Sequence, residues 1–111
     1  MRILVVCGAG ASSTFVVQRL QRAARQAGRE HVATAIALAN LSARLPDADL
    51  LLIGPHLGGE IDRITAEAAD ARVAVAVLPD DVFADRDGTR TLELAESAAS
   101  LARPHRSEGT R

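Results

Sequence analysis

The sequence predicts an α/β domain built on a four-stranded parallel sheet of order 2-1-3-4. Helices cover both faces, and a glycine-rich phosphate-binding loop closes the first strand. Three observations predict this. Apolar runs of strand length alternate with helical stretches along the 111 residues, the pattern of strand–helix–strand crossovers. Two of those runs, Ile3–Val6 and Leu50–Ile53, are unbroken apolar segments, as expected of central strands buried on both faces. The first run ends in the glycine-rich turn Cys7-Gly8-Ala9-Gly10-Ala11-Ser12-Ser13-Thr14 and leads into a helix. Turn N–H groups and a positive helix end then converge on one point.

Each element follows in order. After Ile3–Val6, residues 12–27 read as a helix with Phe15, Val16, Leu20, Ala23, Ala24 and Ala27 on the inner stripe. Ser12, Ser13 or Thr14 is the expected N-cap, and Gly28 stands at the C′ position. Val32, Thr34, Ile36 and Leu38 alternate with alanines, which suits a second strand nearer an edge. A short helical turn over Leu41–Leu45 precedes Pro46, and Leu50–Ile53 stops at Gly54-Pro55. A helix over Gly59–Ala69 turns Ile61, Ile64 and Ala68 inward, and a fourth strand over Val73–Leu78 ends at Pro79. Residues 80–88 read as loop, and Arg90–Arg103 as a last helix with Leu92, Ala95, Ala99 and Ala102 inward. The domain therefore spans 1–103, and the polar segment 104–111 is expected to be a disordered tail.

Composition excludes several function classes. Net charge is −1 with scattered charges, which gives no footprint for nucleic acid. All 13 basic residues are arginine. A Walker A lysine, a Schiff base and a lysine general base are thereby excluded. No apolar run is long enough to span a bilayer, and the opening residues read as a strand rather than a signal sequence, so no membrane insertion is expected. The lone cysteine has no internal disulfide partner, which fits a reducing, cytoplasmic setting.

Topology locates the site before any motif does. Order 2-1-3-4 reverses direction between strands 1 and 3, and ligands in such sheets sit beyond the carboxyl strand ends at that reversal. Two loops meet there, residues 7–13 and Gly54-Pro55-His56. Cys7 is the candidate nucleophile, because amide dipoles and a helix N-terminus favour thiolate over thiol. Gly8 and Gly10 allow the backbone to approach an anion, with Ala9 and Ala11 between them. Ser12, Ser13 and Thr14 supply more hydroxyls than one cap needs and can donate to phosphoryl oxygens. Pro55 and His56 stand at the site edge, His56 either as a contact or as a solvated loop residue. His31 and His105 read as surface residues. Asp80, Asp81, Asp85 and Asp87 match no calcium-loop spacing, so no metal is expected. Their carboxylates should point away from a thiolate whose pKa they would raise, with Asp87-Gly88 serving as a turn or cap for the last helix.

Three families have a loop of this kind. Dinucleotide binding fits poorly: Gly8-Ala9-Gly10-Ala11-Ser12-Ser13 lacks the third glycine, and Leu38-Ala39-Asn40 offers no ribose-binding acid. Low-molecular-weight tyrosine phosphatases and arsenate reductases need an arginine where this chain has Ser13. Losing that clamp costs roughly 2–4 kcal/mol of transition-state stabilisation, by analogy with oxyanion donors. The third family fits from Arg2 to about Ala102. The chain resembles the cysteine-phosphorylated IIB component of the sugar phosphotransferase system, lactose/cellobiose/chitobiose type. The Cys7–Thr14 loop is similar to that group's C-x-A-G-M-S-T-S. Leu51-Leu52-Ile53-Gly54-Pro55-His56 is similar to its L-L-G-P-Q, and Phe83 with Asp87-Gly88 to its Y-G-x-x-D-G. The departures are Ala11 for methionine, His56 for glutamine and Phe83 for tyrosine.

The resemblance implies a phosphotransferase without cofactor. Cys7 accepts a phosphoryl group from a phosphohistidine of a IIA protein and passes it to a sugar held by the membrane IIC protein. Two alternatives stay open: a IIB component of the galactitol/ascorbate type, and an anion- or nucleotide-binding regulatory module in which Cys7 is inert.

Overall fold

The computed structural model describes residues 1–6, 10–79, 81 and 87–102, with the backbone alone for 10–13, 56, 101 and 102. Strand β1 (Arg2–Val6) leads to helix α1 (Gly10–Gln26), and strand β2 (Val32–Ile36) follows. Short 3-10 turns flank helix α2 (Leu41–Arg44) before strand β3 (Leu50–Ile53). A 3-10 segment over Pro55–Glu60 opens into helix α3 (Ile61–Asp70), and strand β4 (Ala74–Val77) precedes helix α4 (Thr89–Ala102). The sheet is four-stranded and parallel in the order β2-β1-β3-β4, as expected.

Alternation along the strands builds two cores, one on each face. Ile3 and Val5, with Leu50 and Leu52, pack against Val16, Leu20, Ala23 and Ala24 of α1 and Leu92 and Ala95 of α4. Leu4, Val6, Leu51 and Ile53 face the other way, onto Leu41, Leu45, Leu57, Ile64 and Ala68. Every residue of β3 is fully buried, which explains its unbroken leucine–isoleucine run. Each such side chain contributes about 1.5–3 kcal/mol by burial. Helices α1 and α4 thus share one face, and α2 and α3 the other.

The C-terminal ends of α1 and α3 close with the same hydrogen-bond pattern. After α1, Gly28 N–H donates to Arg25 O (3.0 Å) and Arg29 N–H to Ala24 O (2.8 Å). This is a Schellman turn, with Gly28 at φ +75°. After α3, Arg72 N–H donates to Ala69 O (3.0 Å) and Val73 N–H to Ala68 O (2.9 Å). There a non-glycine residue, Arg72, takes the left-handed conformation at φ +61°.

Several expectations are corrected. Helix α1 begins at Gly10 rather than Ser12, so Ser12, Ser13 and Thr14 lie inside its opening turns and do not occupy the N-cap. Phe15 is 55% exposed and Ala27 is also exposed. The reason is geometric: Val16, Leu20, Ala23 and Ala24 occupy the inner stripe at i, i+4, i+7 and i+8, which leaves Phe15 one residue off it. Helix α3 starts at Ile61, because a 3-10 segment with Gly58 at φ +46° takes up residues 55–60. Strand β4 is shorter than expected at both ends.

His31, expected at the surface, has a side chain only 15% exposed. It lies 2.9 Å from Glu96 of α4, and Arg29 reaches the same carboxylate oxygen at 2.9 Å. The partners are 65 positions apart, beyond any local pattern. His105 and the 104–111 tail lie outside the described residues.

Gly88 carries a constraint that its sequence position alone only hints at. Its φ is +77°, and a Cβ there would sit 2.2 Å from the Arg19 carbonyl oxygen of α1. Leu92 N–H donates to Gly88 O (2.9 Å), and Thr89 N–H to Asp87 Oδ1 (3.0 Å). Asp87 and Gly88 therefore start α4 while its backbone presses against α1. This bears out Asp87 as a turn and cap residue.

Candidate functional site

The candidate site is the carboxyl edge of the sheet, where β1 and β3 run in register up to Val6 beside Ile53. The ladder continues one residue further: Gly54 N–H donates to Val6 O at 2.7 Å, and Leu78 N–H donates to Ile53 O at 2.8 Å. The exits of β1, β3 and β4 are thereby held side by side by main-chain bonds. Gly54 is buried and Pro55 half-buried, and Leu57, 8% exposed, anchors the following turn in the core. The residue covalently next to Val6 is Cys7.

Helix α1 begins only four positions after Val6, at Gly10. Its first turn holds no acidic residue, so no carboxylate on it competes for its unpaired N–H groups. Such a terminus carries about half a positive charge. The structure thus brings together the end of β1, the start of α1 and the Gly54-Pro55 turn, as the topology of the sequence implied.

Cys7, Gly8 and Ala9 lie outside the described residues, as do Asp80, Phe83 and Asp85. The backbones of Gly10, Ala11, Ser12 and Ser13 are helical; their side chains, like that of His56, are outside the description. Thr14 is exposed and engaged in an interaction. Of the acidic loop, Asp81 faces Arg90 of α4 at 3.3 Å and Asp87 caps Thr89. Both carboxylates are committed to α4.

The sequence reading missed two features near this edge. Phe15, expected inward, is exposed, because the spacing of Val16, Leu20 and Ala23 already completes the inner stripe. Gly88 was read only as a turn residue, and its approach to Arg19 links elements too distant in sequence to show a local signal.

Comparison with known proteins gives the same family from three directions. Residues 2–93 match the model of the PTS system lactose/cellobiose-specific IIB subunit family. The galactose-specific EIIB component of Lactococcus lactis subsp. cremoris is 27% identical over 100 residues, covering 86% of this chain and 93% of that protein. The cellobiose-specific EIIB component of Lactococcus lactis subsp. lactis is also 27% identical, with the same coverage. Among solved structures, the lactose-specific IIB domain from Streptococcus pneumoniae superposes with a TM-score of 0.80, covering 88% of this chain and 96% of that one. At 12% identity that likeness shows the fold. The cellobiose-specific IIB protein from Borrelia burgdorferi gives a TM-score of 0.75 at 26% identity, covering 92% and 94% of the two chains. The register of the sheet, the cysteine following β1 and the family match over residues 2–93 agree: this chain belongs to the lactose/cellobiose-specific IIB subunits of the phosphotransferase system.

Proposed function

We propose that this chain carries a phosphoryl group on Cys7, between a IIA phosphohistidine and a sugar held by a membrane IIC protein. The observation that carries the reading is the junction of β1, α1 and the Gly54-Pro55 turn, with Cys7 next in the chain after Val6. In the first step the Cys7 thiolate attacks phosphorus. An S–P bond forms as the N–P bond breaks in a phosphohistidine protonated on its other ring nitrogen, so that the imidazole leaves neutral with that proton. In the second step a sugar hydroxyl attacks the same phosphorus. An O–P bond forms, the S–P bond breaks, the hydroxyl proton is released, and Cys7 returns as thiolate.

The N–H groups of residues 8–13 and the hydroxyls of Ser12, Ser13 and Thr14 would hold the phosphoryl oxygens. Amide and hydroxyl donors stabilise the bound dianion without an arginine clamp or general acid to speed hydrolysis. Ser13 in place of that arginine therefore suits a carrier and disfavours a phosphatase. The sugar belongs to the lactose/cellobiose class, and Pro55 and His56 border the entry. No described helix is long and apolar enough to cross a membrane. We assign the chain to the cytoplasmic side, where it meets IIC from outside the bilayer.

The test is labelling from phosphoenolpyruvate through the general phosphotransferase proteins and a IIA protein. One phosphoryl group per chain is expected, in a bond more resistant to base than phosphohistidine. Cys7→Ser should abolish it with melting unchanged. Label retained in that variant would overturn the assignment, as would sustained Cys7-dependent hydrolysis of p-nitrophenyl phosphate.

A further inference from the structure

Helix α1 has an outer face that stands exposed among the described residues. Phe15, Gln18, Arg22 and Arg25 fall within about 80° of one another at 100° per residue. That sector lies opposite Val16, Leu20, Ala23 and Ala24, which face the core. All four outer residues are exposed. Phe15, at 55% exposure, is one of only two aromatic residues in the chain. Helix α1 carries Arg19, Arg22 and Arg25 and no Asp or Glu, although the chain as a whole has net charge −1. Arg22 and Arg25 have no hydrogen bond or ion pair among the described residues, whereas Arg29, next along the same line, is committed to Glu96. Beside the stripe runs a cleft of about 340 Å³ between α1 and β2, lined by Val17, Gln18, Gln21, Arg22, Arg25 and Ala33.

We propose that this stripe is the docking face for the protein that exchanges phosphoryl with Cys7, and that this partner presents an apolar seat for Phe15 flanked by carboxylates that meet Arg22 and Arg25. The proposal rests on the relay reading given above. Scale supports it. Phe15 lies roughly 8 Å along the helix from Gly10 and Arg25 roughly 22 Å, at 1.5 Å per residue. A partner seated over the Cys7 loop with a standard face of about 800 Å², some 30 Å across, covers both. An aromatic anchor beside exposed guanidinia is the composition that concentrates binding energy at protein interfaces, and the charge complementarity speeds encounter. Two arginines give only a marginal attraction to anionic lipid, which favours a protein partner over a membrane surface.

The experiment titrates the phosphorylated IIA protein of a lactose/cellobiose-type system against the full chain and follows Cys7 labelling. A parallel titration with unphosphorylated IIA reads binding alone. Arg22→Glu with Arg25→Glu should raise the IIA concentration for half-maximal labelling at least 10-fold and remove its salt dependence, while saturating donor still gives one phosphoryl per chain. Phe15→Ala should raise it about 5-fold and keep the salt dependence. Arg22→Lys with Arg25→Lys should stay near wild type, and melting temperatures should agree across the set.

Labelling and binding unchanged in the charge-reversal variant overturn the docking face and leave the relay standing. Wild-type binding that depends on Arg22 and Arg25 without labelling keeps the docking face and overturns the relay. Neither labelling nor binding overturns both. Retention on phosphatidylglycerol vesicles that the reversal variant loses, with IIA titrations unchanged, overturns the protein partner in favour of lipid.

Discussion

Main-chain bonds run through both ends of the sheet, and among the described residues the amino end adds side-chain ties between strands and helices. At the amino end, side chains tie the elements together. Asp49 Oδ2 accepts the Arg2 N–H at 2.7 Å, and Gln21 brackets β2 by donating to His31 O at 2.6 Å and accepting from Ala33 N–H at 3.0 Å. Arg29 and His31 converge on one Glu96 oxygen. At the carboxyl end, the described connections between strands are main-chain bonds, Gly54 to Val6 and Leu78 to Ile53. The contrast has a physical sense: at the amino end, segments distant in sequence, such as Gln21 with β2 and His31 with Glu96, are tied through side chains as well as through the ladder.

The comparison can be broken most sharply at Cys7. If the carboxyl end is functional rather than structural, Cys7→Ser removes all labelling and shifts the melting temperature by less than about 2 °C. A large loss of stability would place Cys7 among the residues that hold the fold.

The next effect is at Gly88, where the two kinds of role meet. Gly88→Ala adds a methyl against the Arg19 carbonyl and strains a positive φ. The expected destabilisation is about 2–4 kcal/mol by chemical denaturation, combining overpacking with left-handed strain. A change under 0.5 kcal/mol would show that α4 shifts from α1 at no cost.

Glu96 tests the amino-end staple through pH. The hydrogen bond from His31, and then Arg29 beside it, hold the Glu96 carboxyl below its ordinary value of 4.5. A depressed carboxyl stabilises the fold above its unfolded pKa, and that contribution is lost as pH falls through the folded value. The stability difference between wild type and Glu96→Gln should therefore be largest above pH about 5 and shrink towards zero in stronger acid. Measured by urea unfolding from pH 3 to 7, a pH-independent difference would remove the staple from the account.

The smallest effects compare the two helix ends. Gly28 and Arg72 occupy the same left-handed C′ position, yet only one is glycine. Gly28→Ala should destabilise by about 1 kcal/mol and Arg72→Gly should stabilise by about 0.5–1 kcal/mol. Equal signs for the two would mean that side-chain contacts, rather than backbone strain, decide these turns.

Much of this was legible in local pattern. The apolar runs at Ile3–Val6 and Leu50–Ile53 marked the central strands because parallel strands are buried on both faces. Gly54-Pro55 and Gly28 marked stops because their backbones cannot or need not continue the element. The reversal between β1 and β3 then placed the candidate site beside Cys7. Phe15 was less legible, since a single aromatic near two stripes of a helix is assigned only by which neighbours complete the inner one.

By itself, then, the sequence determined the strands, their order and the cysteine next after β1, because hydrophobic periodicity and turn chemistry act over a few residues. Only the tertiary structure decided that Gly88 must yield room to Arg19 and that His31 is drawn to Glu96. Those outcomes depend on how helices of distant sequence position pack across one sheet, and no local spacing encodes that distance.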